Sequence, residues 1–181
     1  LIASHSSVRA ISNHPRNMSD DMIKALAAKG GVIQINYEQN YLSDEYRVAY
    51  AATAGDLTKA DETFKKECGD DFVCIGRAQQ RQLQKLQAEG KLPRVSWEKI
   101  IEHIDHVVKL VGPDHVGLGS DFDGATMPDG MEDVSKLPKI TEALVRKGYS
   151  DADIQKILGG NILRVLDQSQ QIAHQLSAQP N

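Results

Sequence analysis

Three short apolar segments constrain the fold most strongly, because each one ends in polar residues and is followed by a helical pattern. They span residues 1–4, 32–36 and 115–120. Buried parallel strands have this short apolar pattern, and a helix between consecutive strands gives the β-α-β order of an α/β protein. The polar residues should then meet at one edge of the sheet, since sites in such folds lie at the carboxyl ends of the strands.

Helical patterns fill most of the remaining sequence. Ser19 is predicted to cap a helix that ends near Lys29, and a strongly amphipathic helix follows Ser96. Further helices are predicted over residues 137–147, 151–158 and 161–173. The tail, residues 177–181, is expected to be frayed.

Residues 43–92 interrupt the alternation of strands and helices. This segment is rich in charges and glutamine, and it contains both cysteines of the chain. We expect a polar helical insertion of two or three helices, outside the core architecture. Cys68 and Cys74 have no nearby histidine that would complete a zinc site, so they predict a short local disulfide, or alternatively two free thiols. A disulfide would favour an oxidising compartment.

The composition excludes several classes of protein. The chain has 181 residues, with 21 Lys and Arg against 25 Asp and Glu and a formal net charge of −4. A mildly acidic chain without a basic stripe argues against a nucleic acid partner. No apolar run approaches the roughly 20 residues of a membrane span. A complete eight-stranded α/β barrel needs about 250 residues, so this chain is too short to form one.

Candidate catalytic side chains follow the first and third predicted strands. His5 can be a metal ligand, with Ser6 and Ser7 orienting its ring, or a capping or core histidine bonded to the backbone. Asp121 and Asp123 follow the third strand, and one of them can accept or donate a proton at a metal-bound water. The alternative is an Asx turn, which we expect for Asp123 because it precedes a glycine.

Arg16 and two helical histidines each have two interpretations. The proline turn around Arg16 suits a guanidinium that binds a carboxylate, while a surface ion pair with Asp20 or Asp21 is the alternative. His103 and His106 are three residues apart on a helix, which invites a metal site. The helical wheel places His106 opposite the apolar stripe and His103 at its edge, so we expect both to face solvent.

Seven short blocks carry a more specific signal. They are LIASHSS (1–7), HPRN (14–17), GVIQINY (31–37), HIDH (103–106), VGLGSDFDG (116–124), GMEDVSK (130–136) and GNILRV (160–165). Together these blocks closely resemble the membrane (renal) dipeptidase family of zinc peptidases. They occur in family order, and only the polar insertion interrupts them.

The resemblance implies a (β/α)8 TIM barrel with a binuclear zinc centre at the carboxyl ends of its strands. This chain would then be the C-terminal segment of that single domain, about strands six to eight. The resemblance implies that His5 is a ligand of one zinc and that Asp121 moves the proton between the hydroxide and the leaving amine. It also implies that Arg16, with Asn17 beside it, binds the substrate carboxylate or the oxyanion, and that Tyr41 contacts the substrate.

The resemblance also implies what this chain lacks. The family's His-x-Asp pair, its bridging Glu and its second histidine are absent, so only one of five expected ligands is present. The full-length parent should hydrolyse dipeptides that carry a free C-terminal carboxylate, including those with a D-residue at that position. The chain alone should bind zinc poorly and be inactive, since a catalytic zinc normally takes three protein ligands.

Two alternative functions stay open: a non-catalytic barrel fragment used for assembly or binding, and another binuclear-metal amidohydrolase. A sheet of three strands has two open edges, so we expect it to associate with the missing N-terminal barrel half or with a second copy. The cysteine pair and the export that is common in the family favour the periplasm or the cell surface, with the cytoplasm as the alternative.

Overall fold

The computed structural model describes residues 1–178 and shows a parallel sheet covered by helices. The strands are β1 (Ile2–Ser6), β2 (Val32–Ile35) and β3 (Val116–Leu118). The helices are α1 (Asp20–Ala28), α2 (Gln39–Leu42), α3 (Asp44–Ala52), α4 (Ala54–Cys68), α5 (Phe72–Ala88), α6 (Glu98–Val111), α7 (Pro138–Arg146), α8 (Asp151–Gln155) and α9 (Asn161–Ser177). Within residues 1–178, no helix is both long and apolar enough to cross a membrane.

The sheet confirms the prediction of an α/β fold. β2 lies between β1 and β3, and both pairs run parallel, with Ile2 opposite Val32 and Ile33 opposite Val116. All three strands therefore end at the same edge. β3 stops at Leu118, two residues before the predicted end, because the backbone after it enters turns instead of continuing the pleat.

Helix α1 begins where the sequence predicts it. The Ser19 side chain accepts a hydrogen bond from the backbone N–H of Met22, which satisfies one of the free donors of the first turn. Asp20 and Asp21 add negative charge at the positive end of the helix dipole. The apolar side of α1 packs beside α6 and β2, so this helix covers one face of the sheet.

Helix α6 is amphipathic as predicted, but the prediction that both of its histidines face solvent is wrong. His103 is 0% exposed, and His106 is partly buried beside Asp20. The loop after β1 and the end of α2 pack against the edge of the apolar stripe and cover His103 there, which a helical wheel cannot anticipate. The His103 ring bonds to Leu42 and to Val8 of those two segments.

The insertion at residues 43–92 forms three helices, α3 to α5, as the polar pattern predicts. Helix α4 has no buried side chain, in keeping with a segment outside the core. The prediction that the insertion lies outside the core is wrong, however, because Tyr46 of α3 and Leu86 of α5 lie in the main hydrophobic core. Cys68 and Cys74 form the predicted disulfide, which closes the turn between α4 and α5.

The C-terminal part is helical, as predicted, with different boundaries. Helix α8 passes through a wide turn at residues 156–160 into α9, which is longer than the predicted helix. Of the tail that was expected to be frayed, Ser177 is the last residue of α9, and residues 179–181 lie outside the described part of the chain.

Candidate active site

The ends of the three strands bring the candidate side chains to one edge of the sheet. His5 lies at the end of β1, Asn36 directly follows β2, and Asp121 lies three residues beyond β3. Asn36 donates a hydrogen bond from Nδ2 to Oδ2 of Asp121 at 3.1 Å, which joins the second and third strand ends directly. The predicted clustering at the carboxyl ends is therefore present.

His5 presents an exposed imidazole at this edge. Its Nε2 lies 2.8 Å from Nη2 of Arg16, and its Nδ1 lies 2.7 Å from Oγ of Ser4. Arginine has no acceptor, so Nε2 carries the lone pair and the ring donates from Nδ1. This exposure does not fit a core histidine. The ring is oriented by Ser4, and not by the predicted Ser6 and Ser7, whose hydroxyls donate to backbone carbonyls.

Arg16 projects from a turn that its neighbours hold rigidly. Its backbone N–H donates to Nδ1 of His14, and its carbonyl accepts from the hydroxyl of Ser6. The guanidinium carbon lies 5.2 Å from the ring centroid of Tyr41, within range of a cation–π contact. The alternative of a surface ion pair with Asp20 or Asp21 is not what the structure shows, since the guanidinium faces His5 and Tyr41.

Tyr41 forms the rim next to Arg16. Its ring packs against the ring of His14, with centroids 4.4 Å apart, and the side chain is 8% exposed. Burial raises the pKa of Tyr41, and the neighbouring Arg16 partly opposes that shift. The phenol therefore keeps its proton at neutral pH and can act as a hydrogen-bond donor.

Asn17 lies beneath this rim and is 1% exposed. Its Oδ1 accepts from the backbone N–H of Ser7, and its Nδ2 donates to the carbonyls of Ser12 and Tyr41. These bonds occupy both ends of the amide and give Asn17 a structural role in the loop that carries Arg16. Its predicted contact with substrate stays a prediction.

Asp121 lies in a tight turn, half-buried. The Asp121 carbonyl accepts from the backbone N–H of Gly124 at 3.1 Å, and both Asp121 and Asp123 have positive φ, 59° and 66°. Such angles are unusual for residues with a side chain, although aspartate tolerates them better than most. The turn thus depends on contacts from outside itself.

Glu38 is a residue of this site that the sequence did not single out. Its Oε2 accepts from the backbone N–H of Thr126 at 2.8 Å, while its Oε1 accepts from the backbone N–H and from Nδ2 of Asn40. Burial raises the pKa of Glu38, and these hydrogen bonds partly oppose the shift. The sequence signal that could have identified Glu38 is its position three residues after β2, at the carboxyl end of a strand.

A complete metal centre needs more ligands than this part of the chain provides. Among residues 1–178, no group of three or more His, Cys, Asp or Glu side chains is arranged to hold a metal ion. His5 is the one predicted ligand, and a catalytic zinc normally takes three protein ligands. The described residues alone therefore do not fit a zinc centre.

Comparison with known proteins decides the family. A family model described as membrane dipeptidase (peptidase family M19) matches residues 1–180. This chain belongs to the membrane dipeptidase family. The resemblance carried by the seven blocks is thus confirmed, and the family that they resemble is one of metallodipeptidases.

Individual members of the membrane dipeptidase family show how much of the chain is shared. An uncharacterised dipeptidase of Schizosaccharomyces pombe is 31% identical over 98% of this chain, which covers 32% of that protein. A probable dipeptidase of Pseudomonas aeruginosa, PvdM, superposes with a TM-score of 0.64 at 30% identity, over 91% of this chain and 43% of its own.

A third relative carries a ligand. The metallopeptidase of Rhodobacter sphaeroides, solved with a phosphinate mimic of the dipeptide L-Ala-D-Ala, superposes with a TM-score of 0.63 at 26% identity, over 92% of this chain and 35% of its own. This chain thus spans 32% to 43% of the length of these three family members. Its three-stranded sheet is consistent with part of their barrel.

Proposed function

We propose that this chain is part of a zinc-dependent dipeptidase and supplies about strands six to eight of its barrel. The substrates are dipeptides with a free C-terminal carboxylate, and a D-residue is tolerated at that position. The observation that carries the proposal is the convergence of His5, Arg16, Tyr41 and Asp121 at one sheet edge in a chain of this family.

Arg16 and Tyr41 are suited to hold the substrate. Arg16 is exposed and its guanidinium offers paired N–H donors, which match a carboxylate better than a point charge does. The protonated Tyr41 hydroxyl adds a donor beside it. The ligand of the Rhodobacter sphaeroides relative, a mimic of L-Ala-D-Ala, supports a D-residue at the C-terminal position.

Asp121 is the proton-transfer group in this proposal. Its Oδ2 is held by Asn36, while the other oxygen remains available to take a proton from the attacking water and to return it to the leaving amine. The amine must be protonated to leave, because amide hydrolysis otherwise expels a poor leaving group.

The proposed metal is zinc, with His5 as its one ligand from this chain. Zinc bound in such an enzyme lowers the pKa of water and polarises a carbonyl. The remaining ligands have to come from polypeptide outside this chain, so we expect the chain alone to bind zinc poorly and to be inactive.

The outer strands β1 and β3 each leave one lateral edge of the sheet open, and these two edges suggest what this chain associates with. Leu1 and Ile2 on the β1 side are 70% and 45% exposed. An apolar groove beside β3, about 560 Å³, is lined by Leu118, Leu137 and Leu158 among others. We propose that the N-terminal barrel half covers both edges. The Cys68–Cys74 disulfide supports an oxidising location, the periplasm or cell surface.

Selective loss of carboxylate recognition tests this function. The full-length product of the gene is assayed with L-Ala-D-Ala and with the same dipeptide as its C-terminal amide. Arg16→Ala should lower kcat/KM for the free dipeptide at least 100-fold and change the amide far less. Equal losses on both substrates, or no hydrolysis by the wild type, would contradict the proposal.

A further inference from the structure

The turn that carries Asp121 has little support from the sheet. β3 ends at Leu118, and the backbone N–H of Gly119 makes the last bond to β2, at the carbonyl of Ile35. Beyond it, Asp121 and Asp123 adopt left-handed backbone angles that few residues with side chains adopt. Something outside the turn has to hold the Asp121 carboxylate in place.

The segment after β2 provides that support. Glu38 accepts from the backbone N–H of Thr126 at 2.8 Å, and Gln39 binds the same loop with its backbone N–H to the carbonyl of Thr126 and its Nε2 to the carbonyl of Met127. The residues that hold the far end of the Asp121 loop therefore follow the neighbouring strand directly.

The same segment fixes the near end of the loop. Oδ1 of Asn36 accepts from the backbone N–H of Glu38 at 2.6 Å. That bond determines which end of the Asn36 amide is the donor, so Nδ2 has to face Oδ2 of Asp121. Asn36 is 0% exposed and has no room to turn.

We propose that Glu38 is a positioning residue for Asp121: its carboxylate holds the backbone of Thr126, and its backbone N–H orients Asn36. The proposal rests on the proposed function, in which Asp121 transfers the proton. Glu38 itself touches neither the substrate nor the reacting atoms. It sets the distance and direction from which the Asp121 carboxylate approaches the scissile amide.

The position of Tyr41 should not depend on Glu38, and this distinguishes a positioning role of Glu38 from general damage to the site. Glu38 also caps α2, which carries Tyr41. However, Tyr41 is anchored independently, by the bond from Asn17 to its carbonyl and by its packing against His14. Loss of the Glu38 carboxylate should therefore reduce kcat while leaving KM, which depends on Arg16 and Tyr41, nearly unchanged.

The test uses the full-length gene product and four variants. Glu38→Ala removes the acceptor for Thr126 and Asn40. Glu38→Gln keeps the shape, but its one amide oxygen should face the two Asn40 donors, so that its N–H₂ opposes the N–H of Thr126. The double variant E38Q/N40D gives that N–H₂ an acceptor at position 40, so that the amide oxygen can face Thr126 again. Glu132→Ala is the matched control, because Glu132 also accepts a backbone N–H, from Gly130, in another loop.

We expect Glu38→Ala to lower kcat at least 10-fold with KM changed less than threefold, and E38Q/N40D to recover most of the kcat lost in Glu38→Gln. Backbone hydrogen exchange over residues 121–127 should accelerate in Glu38→Ala, while residues 12–17 exchange as in the wild type. The Glu132→Ala control should change neither quantity.

Three results would each overturn the positioning role: unchanged kcat in Glu38→Ala, unchanged exchange over residues 121–127 in that variant, or an equal loss of kcat in Glu132→Ala. If the wild type hydrolyses no dipeptide, the proposed function fails, and the exchange measurement alone still decides whether Glu38 holds the Asp121 loop.

Discussion

Nδ1 of His103 accepts a hydrogen bond from the backbone N–H of Val8 at 3.0 Å, across 95 residues of sequence. The other ring nitrogen, Nε2, donates to the carbonyl of Leu42 at 3.1 Å. A neutral imidazole can satisfy both partners, whereas a protonated one would direct an N–H at the Val8 donor. His103 thus ties the segment after β1 to the segment that carries Tyr41, as long as it stays neutral.

We predict that this histidine makes the fold sensitive to acid. Burial lowers the pKa of His103 to about 4, against an ordinary value of 6.5. Below pH 6.5 the unfolded chain binds a proton that the folded chain does not, so the free energy of unfolding falls as the pH drops from 6.5 towards 4. The loss is on the order of 3 kcal/mol, and above pH 6.5 this contribution is fully present.

Urea unfolding at pH 7.5, 5.5 and 4.5 measures the effect. His103→Asn is the comparison, because its side chain retains an acceptor for Val8 and does not titrate. This variant should be less stable at pH 7.5 but should lose less on acidification than the wild type. The same pH dependence in both proteins would rule out His103 as the source.

Asn17 offers a prediction about the Arg16 loop. Asn17→Ala leaves the N–H of Ser7 and the carbonyls of Ser12 and Tyr41 without their partner. Buried groups left unpaired are costly, so we expect a loss of about 3 kcal/mol in the free energy of unfolding. Asn13→Ala, at an exposed position nearby, should change it by less than about 0.5 kcal/mol. Similar urea midpoints for the two variants would contradict the structural role.

The strand ends approach each other so closely at Gly119 that there is no space for a side chain. A Cβ at Gly119 would collide with the carbonyl oxygen of Ser4 and would lie 2.9 Å from that of Gln34, whereas a Cβ at Gly117 would meet nothing nearer than 3.6 Å. Gly119→Ala should therefore cost about 3 kcal/mol by displacing backbone that cannot yield, and Gly117→Ala much less. Thermal unfolding of the two variants, which should differ clearly in Tm, checks this.

The β-α-β order and the strand ends could be predicted because hydrophobic period and polar boundaries are local signals. His5 and Asp121 became candidates in this way and Arg16 through its proline turn, whereas Asn17 and Tyr41 became candidates through the family resemblance. The burial of His103 and the role of Glu38 could not be predicted, since both depend on segments distant in sequence. The membership of Tyr46 and Leu86 in the core was missed because they lie in helices dominated by polar residues.

The open sheet predicts association. The isolated 181-residue chain exposes apolar side chains at both edges of the sheet, which include Ile2 of β1 and Leu158 beside β3. We expect size-exclusion chromatography with light scattering to show self-association of this chain at micromolar concentration. In the proposed function the N-terminal barrel half covers these edges, so the full-length gene product should not associate through them. A chain that stays monomeric at high concentration would contradict this.

Metal-dependent turnover by the full-length gene product tests the central proposal most directly. Hydrolysis of L-Ala-D-Ala is measured before and after chelation, after addition of zinc, and in Asp121→Asn, with the isolated 181-residue chain in parallel. We predict that chelation abolishes turnover and zinc restores it. Asp121→Asn should lower kcat at least 100-fold, and the isolated chain should be inactive. Turnover that survives chelation, or that is unchanged in Asp121→Asn, would contradict the proposal.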